Sequence, residues 1–326
     1  MKLASYKVRG RESFGVVVGD GVVDLKPRLG PHFASALDLL REAGGLDAGR
    51  QATHGVRADF PLDELEWLPP LLAPEKILCI GINYANRNAD YGDQEVPKYP
   101  SMFYRAPGSL VGHQQPIVRP RESEQLDYEG EIALVIGRAG RRIAPARALD
   151  HVAGVTLCNE GTIRDWMRHG KFNVTQGKNF DASGSIGPWI VTTDEIDLAK
   201  PLHITVKING EITQDATTAS MIKSFADLIA YVSTFMTLKP GDVIVTGTPV
   251  KLGPRTGQPM WLQPGDVIEI EVPEIGVLRN TPICGTSIST TSPGLSHVGC
   301  SLRGASFTGV PVTMISPGVS VMKVLT

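Results

Sequence analysis

Cysteine is scarce in this chain and widely scattered. The four residues, Cys79, Cys158, Cys284 and Cys300, include no Cys-x-x-Cys pair and no Cys/His spacing of the zinc kind. That excludes a disulfide framework and a sulfur-held structural metal, and points to reduced thiols in a cytoplasmic protein. An excess of one charge is also missing. With 32 Lys+Arg against 34 Asp+Glu the formal charge is −2, which suits neither a nucleic-acid surface nor a disordered acidic tail. No run approaches the ~20 apolar residues of a membrane span. The segment Met1 to Gly15 carries charges throughout (Lys2, Lys7, Arg9, Arg11, Glu12) and has no apolar signal-peptide core. Gly-x-Gly-x-x-Gly, the Walker loop, His-Glu-x-x-His and Gly-x-Ser-x-Gly are all absent, so dinucleotide, nucleotide, zinc-peptidase and serine-hydrolase readings lose their usual support.

What is present is a turn-rich text, with 35 Gly and 24 Pro in 326 residues, long enough for about two domains at roughly 150 residues each. Lys2–Val8 and Phe14–Val18 are strand-like, and Gly19-Asp20-Gly21 joins the second to Val22–Leu25 as a hairpin. A helical stretch, Phe33–Arg41, follows. Pro69-Pro70 and Pro74 break the chain before the strand Lys76–Gly81, which places a boundary near residue 72. Beyond it, Leu126–Ile136, Ile204–Ile208, Val243–Thr246 and Val267–Val272 read as strands, and only Gly161–His169 and Ile222–Thr237 as helices. Strands and helices do not alternate, which argues against a doubly wound sheet, and a mainly β fold with a few helices is expected. Pro240-Gly241-Asp242-Val243 recurs as Pro264-Gly265-Asp266-Val267, both read as turns feeding strands. Thr281–Thr326 has no Asp or Glu and is heavy in Ser, Thr, Gly and Pro, so it is taken as a tail without chemistry. The organisation expected is therefore a small α+β unit over 1–72, a main domain over 73–280 and a tail over 281–326.

The most informative segment is Asp127-Tyr128-Glu129-Gly130-Glu131-Ile132-Ala133-Leu134-Val135-Ile136. Residues two apart in a strand share a face, so Asp127, Glu129 and Glu131 point one way and Tyr128, Ile132, Leu134 and Ile136 the other. Carboxylates about 6.6 Å apart along a strand can converge on one hard cation. The alternative is a solvated strand face, but the acidic face runs on into Ala133 and Val135. Carboxylates buried there demand a cation or Arg/Lys in answer. In Cys158-Asn159-Glu160-Gly161-Thr162-Ile163-Arg164, Asn159 reads as an N-cap with Glu160 and Arg164 one helical turn apart. These form either an ordinary ion pair or a third carboxylate with an arginine for a substrate carboxylate. Lys178, between Gly177 and Asn179-Phe180, is either solvated or placed to hold an oxyanion. Val245-Thr246-Gly247-Thr248-Pro249 is a strand end with a glycine-flanked hydroxyl. His113 is read as a hydrogen-bonded structural histidine, with a role as base left open.

Taken in order, Gly81-Ile82-Asn83-Tyr84, Asp127-Tyr128-Glu129-Gly130-Glu131, Asn159-Glu160 with Arg164-Asp165, Gly177-Lys178-Asn179-Phe180, Gly187-Pro188-Trp189 and Thr246-Gly247-Thr248-Pro249 resemble the fumarylacetoacetate hydrolase family over about residues 76–280. The resemblance implies a mixed β-roll catalytic domain, a homodimer, and a divalent cation, Mg2+ or Mn2+ with Ca2+ as a further candidate, held by Glu129, Glu131 and Glu160. It casts Arg164 as a catalytic and substrate-binding arginine, Lys178 as the lysine that steadies developing negative charge, and Thr248 and Tyr84 as substrate contacts. Where many members carry a lid His and Glu, this chain has Arg87, assigned to substrate binding, and Asp90, assigned to catalysis. Met167 replaces a glutamine of the hydrolase itself.

The lid and helix text is most similar to members called 2-hydroxyhepta-2,4-diene-1,7-dioate isomerases. The metal, Lys and Arg set without the lid histidine favours enolisation of a 2-oxo, dicarboxylic substrate from aromatic-compound catabolism, because a proton shift needs charge stabilisation but no activated water. Two alternatives stand beside it. One is a C–C hydrolase or decarboxylase of acylpyruvate-like substrates, with His113 or Asp90 as base. The other is a non-catalytic ligand-binding member of the fold.

Overall fold

The computed structural model describes residues 1–85, 98–170, 174–252 and 260–285. Its strands are β1 (Lys2–Val8), β2 (Arg11–Val18), β3 (Gly21–Asp24), β4 (Phe60–Pro61), β5 (Glu66–Trp67), β6 (Ile77–Ile80), β7 (Met102–Tyr104), β8 (Leu110–Val111), β9 (Pro116–Arg119) and β10 (Leu126–Asp127). Then come β11 (Gly130–Ile136), β12 (Val152–Asn159), β13 (Thr162–Ile163), β14 (Gly184–Thr192), β15 (His203–Ile208), β16 (Glu211–Thr217), β17 (Val243–Val245), β18 (Ile268–Val272) and β19 (Gly276–Cys284).

The main sheet runs β4-β3-β2-β1-β14-β12-β11-β17-β6-β7, with β5 added on β1 and β8 on β14. A second sheet runs β16-β15-β18-β19-β9, and β10 pairs with β13 alone. Most pairings are antiparallel, but β17 with β6, β8 with β14 and β19 with β9 are parallel. The fold is thus mainly β with mixed sheets.

The hairpin expected around Gly19-Asp20-Gly21 forms, with Val18 opposite Gly21. The first strands do not close a sheet of their own: β1 pairs with β14 through Lys2–Val191 and Leu3–Ile190. At the other end β19 continues to Cys284, past residue 280, because it is paired with β9 up to Arg119. Among the described residues no helix is long and apolar enough to cross a membrane, and Cys79 and Cys158 are buried free thiols.

Alternation along β11 separates two cores, as a period of two requires. Ile132, Leu134 and Ile136 join the cluster that includes Val206, Ile270, Leu228 and Ile229. Ala133 and Val135 join the cluster built with Leu37, Leu39, Leu40, Leu3 and Phe14. The helix Phe225–Phe235 seals the first core: Phe225, Leu228, Ile229 and Val232 are buried at the helical spacing, each contributing about 1.5–3 kcal/mol. Ser224 and Asp227 close a reciprocal capping box at its start. Both Pro-Gly-Asp-Val copies are turns of one design, in which the Asp carboxylate accepts the N–H three residues back, Lys239 N at 2.8 Å and Gln263 N at 2.7 Å.

Two expected elements differ. Leu126–Ile136 is not one strand: β10 ends at Asp127 and β11 starts at Gly130. Gly161–His169 is not a helix, but β13 followed by a single 3-10 turn, Arg164–Arg168. Asn159 is therefore no N-cap; it ends β12, and its Oδ1 accepts the Glu129 N–H at 3.1 Å. The cause is tertiary. Gly161 is pressed against the chain at Ser183, where a Cβ would stand 1.8 Å from the Ser183 carbonyl oxygen, and Leu126 and Asp127 claim Ile163 and Thr162 as sheet partners. Those pairings outweigh a modest helix propensity.

Candidate active site

Four acidic side chains meet where β10, β11 and the end of β12 come together. Glu131 leaves β11 opposite Cys158, and its Oε2 accepts the Gly247 N–H at 2.5 Å. Glu129 lies in the gap between β10 and β11, and its carbonyl accepts the Glu160 N–H at 2.8 Å, which ties the two ligand-bearing stretches together. Carboxylate oxygens of Glu129, Glu131 and Glu160 lie within 4.8 Å of one another, and all three residues are buried, at 4%, 1% and 1% exposure. Asp127 is buried as well but is turned toward a different pair of groups.

Cations answer these carboxylates at every turn. Lys178, on a short helix (Thr175–Lys178) and itself buried, is hydrogen-bonded to Glu129 Oε2, with Glu160 Oε1 3.2 Å away. Arg164 donates from Nη2 to Glu129 Oε1 at 2.5 Å and from Nε to Asp127 Oδ2 at 2.7 Å. It is therefore not the helical partner of Glu160 that the spacing implied. Arg105 reaches within 3.5 Å of Glu160 Oε1 and is locked by Ser109, Gly161 and Ser183. Lys251 is hydrogen-bonded to Asp127 Oδ1.

The electrostatics follow from burial and pairing. Burial, reinforced by Glu160 and Glu129, pushes the Glu131 carboxyl well above the usual carboxylate range. Burial also raises Glu160, against the pull of Lys178. For Lys178, burial works against the ammonium, but the charges of Glu129 and Glu160 outweigh it and hold its pKa above the ordinary lysine value. For Asp127, burial is likewise outweighed, here by Lys251 and Arg164, and its pKa is lowered.

Glu160 Oε1 is fully enclosed, and its cationic neighbours are Lys178 Nζ at 3.2 Å and Arg105 Nη1 at 3.5 Å. Three converging buried carboxylates match the all-oxygen donor set of a hard divalent cation.

The remaining candidates are placed as follows. Tyr84 is buried, and burial with the charge of Glu131 raises its phenol pKa. Its neighbour Asn83 clamps the strand end by donating to Thr246 O at 2.9 Å and Lys223 O at 3.0 Å. Thr248 is buried, with its Oγ1 accepting from Gln214 Nε2 at 2.9 Å. Arg87 and Asp90 lie outside the described residues. His113 packs on Trp67 at a centroid distance of 5.6 Å and accepts the Arg279 N–H at 3.1 Å; burial, with Arg279 adding, pushes it down to about 4. It is a neutral structural imidazole with no contact to the four carboxylates among the described residues.

Sequence reasoning missed Arg105, Lys251 and Gln214. Arg105 stands at the end of β7 before Ala106-Pro107, and nothing in its spacing marks it as buried. Lys251 had a weak signal, its place just after Thr248-Pro249.

The sequence profile described as fumarylacetoacetate (FAA) hydrolase C-terminal matches residues 76–282. The chain belongs to the fumarylacetoacetate hydrolase family. It is 37% identical over 266 residues, 81% of its length and 84% of the other's, to the rat protein named oxaloacetate tautomerase Fahd2a, mitochondrial. It is 36% identical over 266 residues to the human oxaloacetate tautomerase FAHD2B, mitochondrial, covering 80% of this chain and 84% of that one. Among solved structures, the maleylpyruvate hydrolase of Sphingobium sp. SYK-6 in complex with manganese(II) and pyruvate matches with TM-score 0.71 and 27% identity, covering 88% of this chain and all of that one. The 2-hydroxyhepta-2,4-diene-1,7-dioate isomerase of Mycobacterium marinum matches with TM-score 0.66 and 28% identity over 87% of this chain and 98% of that one. Family membership accounts for the mixed β architecture. It also makes the chain one of a family of enzymes whose named activities are tautomerisation, isomerisation and hydrolysis.

Proposed function

We propose that this protein is a divalent-cation-dependent tautomerase that interconverts the keto and enol forms of a short 2-oxo dicarboxylic acid of the oxaloacetate type. The observation that carries the reading is the contact of the buried Lys178 ammonium with Glu129 and its 3.2 Å approach to Glu160. It sets a fixed positive charge directly against the acidic triad. Glu129, Glu131 and Glu160 would hold Mg2+ or Mn2+, and Ca2+ also suits oxygen donors. When bound, the cation supplies Lewis-acid polarisation of a 2-oxo oxygen.

The chain's own groups do the rest. Lys178 Nζ donates to the oxygen at C2 as charge grows there, in a dry site where such a bond is worth more than in water. Arg164 binds a substrate carboxylate through its planar guanidinium. Thr248 accepts from Gln214, which leaves its own hydroxyl hydrogen to donate to the ligand. A proton shift at C3 is then all that tautomerisation requires, and dienedioate isomerisation is the same chemistry on a longer conjugated acid. The likeness to oxaloacetate tautomerases at 36–37% identity favours the shorter substrate.

Hydrolysis of an acylpyruvate is the second reading, supported by the likeness to maleylpyruvate hydrolase. It needs a base for water: His113 is engaged by Trp67 and the Arg279 N–H instead, and Asp90, the other candidate, lies outside the described residues. Purified protein loaded with Mn2+ is expected to speed decay of the oxaloacetate enol absorbance about 100-fold or more over the metal-only rate. C–C cleavage of an acylpyruvate with no change in enol decay would favour the hydrolase, and no turnover of either would favour a ligand-binding protein. The proposal includes a homodimer in the cytoplasm: light scattering is expected to give twice the 35.0 kDa chain mass, and a monomer would refute that part.

A further inference from the structure

The lysine that faces the acidic triad stands at the end of a helix of a single turn, Thr175–Lys178. So short a helix has little stability of its own, because one turn fixes several residues in return for one or two hydrogen bonds. Its place is decided by what grips it from outside.

The residues on either side of Lys178 supply two grips. Gly177 lets the turn lie against backbone, since a Cβ there would stand 2.8 Å from Ile163 O and 2.9 Å from Met167 N. Asn179, half-buried, uses both ends of its amide on backbone: Oδ1 accepts the Ala106 N–H at 2.7 Å, and Nδ2 donates to Tyr104 O at 3.1 Å and to Thr175 O at 3.0 Å. One side chain thus closes the turn onto its first residue and hooks it to the end of β7, 73 to 75 positions away.

The stretch it grips also borders both charged partners. Phe103 places its ring 5.0 Å from Lys178 Nζ, and Arg105 donates to Gly161 O at 2.8 Å, next to Glu160, and to Ser183 Oγ at 3.2 Å. Residues 103–106 are therefore a frame against which the ammonium and Glu160 are both set, and Asn179 links that frame to the lysine. Its partners select the amide. One N–H and two carbonyls call for one acceptor and two donors, which asparagine offers and an aspartate of the same shape does not.

We propose that Asn179 is a positioning residue: by hooking the helix end onto β7 it fixes the Lys178 ammonium where it meets the enolate oxygen of the substrate. A displacement of about 1 Å is enough to lose most of the rate that such a contact supplies. This inference deepens the proposed function and rests on it for the enolate.

Oxalate, a planar dianion shaped like the enolate of a 2-oxo acid, is the probe, and Lys178→Met supplies a background with no ammonium to position. Oxalate binding to Mn2+-loaded parent, Asn179→Ala, Asn179→Asp and each of these combined with Lys178→Met is read by calorimetry, with Mn2+ affinity by electron paramagnetic resonance and folding by thermal melting. Asn179→Asp keeps the shape of the side chain, so it reads lost donors rather than lost packing. The expected result is about tenfold weaker oxalate binding in both single variants, Mn2+ affinity within about threefold of the parent, and no more than about a twofold further change in the Lys178→Met background. In turnover the counterpart is kcat lowered about 30-fold with KM within about threefold. Oxalate binding as tight as the parent's, an equal loss in the Lys178→Met background, or a fall of about tenfold in Mn2+ affinity would overturn it. A parent without tautomerase turnover whose variants show the expected oxalate pattern would defeat the proposed function and leave the role of Asn179 standing.

Discussion

Replacing Glu129 and Glu131 together by glutamine is expected to weaken Mn2+ binding at least about 100-fold, measured by electron paramagnetic resonance on the intact protein. Glutamine keeps the size of each side chain and can still accept the Gly247 N–H that now bonds Glu131. What it removes is charge and one oxygen donor per residue. The loss follows from burial: at 4% and 1% exposure neither position can recruit bulk water as a substitute donor set. At Glu131 a neutral amide is tolerated, because burial and the neighbouring carboxylates already push that carboxyl toward its neutral form. At Glu129 the change removes the partner of Lys178 and Arg164, so the double variant is expected to melt below the parent, and its folding is checked by circular dichroism beside the Mn2+ measurement. Unchanged Mn2+ affinity in a folded double variant would show that the cation site lies elsewhere.

Lys178→Met is expected to lower kcat for enol–keto conversion by about 100- to 1,000-fold with a smaller change in KM. The ammonium interacts with charge that appears on the substrate only as the proton leaves carbon, so its loss is felt in the transition state more than in binding. A second effect separates this role from a structural one. Lys178 is the buried partner of both Glu129 and Glu160, and removing one member of a buried ion pair costs about 3–5 kcal/mol. In EDTA the variant should therefore melt well below the parent. With saturating Mn2+ the gap should narrow, since the cation answers the same carboxylates. A kcat within about threefold of the parent would exclude Lys178 from the chemistry, and a melting deficit unaffected by Mn2+ would separate it from the cation site.

Local periodicity carries information about faces but not about partners. Along β11 the alternation sorted Ile132, Leu134 and Ile136 from Ala133 and Val135, and the two cores lie on those two sides. The break at Tyr128-Glu129 was not legible, because nothing local announces that Asp127 belongs with Thr162 in a separate two-stranded sheet. That break lets Asp127 leave the triad and serve Arg164 and Lys251, although strict alternation put it on the same face as Glu129 and Glu131. The helix expected over Gly161–His169 failed for a related reason: the close approach of Ser183 to Gly161 is a long-range contact that helix propensity does not encode.

The sequence alone determined the chain's class and much of its chemistry. Sparse cysteine, balanced charge, non-alternating strands and six ordered motifs pointed to a mixed β member of one enzyme family, and named Glu129, Glu131, Glu160, Arg164, Lys178 and Thr248 as residues to watch. Only the tertiary structure decided how those residues are paired. Arg105 meets Glu160 from the residue after β7, Lys251 meets Asp127 across 124 positions of chain, and Gln214 reaches 34 positions to the Thr248 hydroxyl. The physical reason is that a carboxylate's state is set by whichever cations the folded chain packs against it, and strand order, rather than neighbouring sequence, makes that choice.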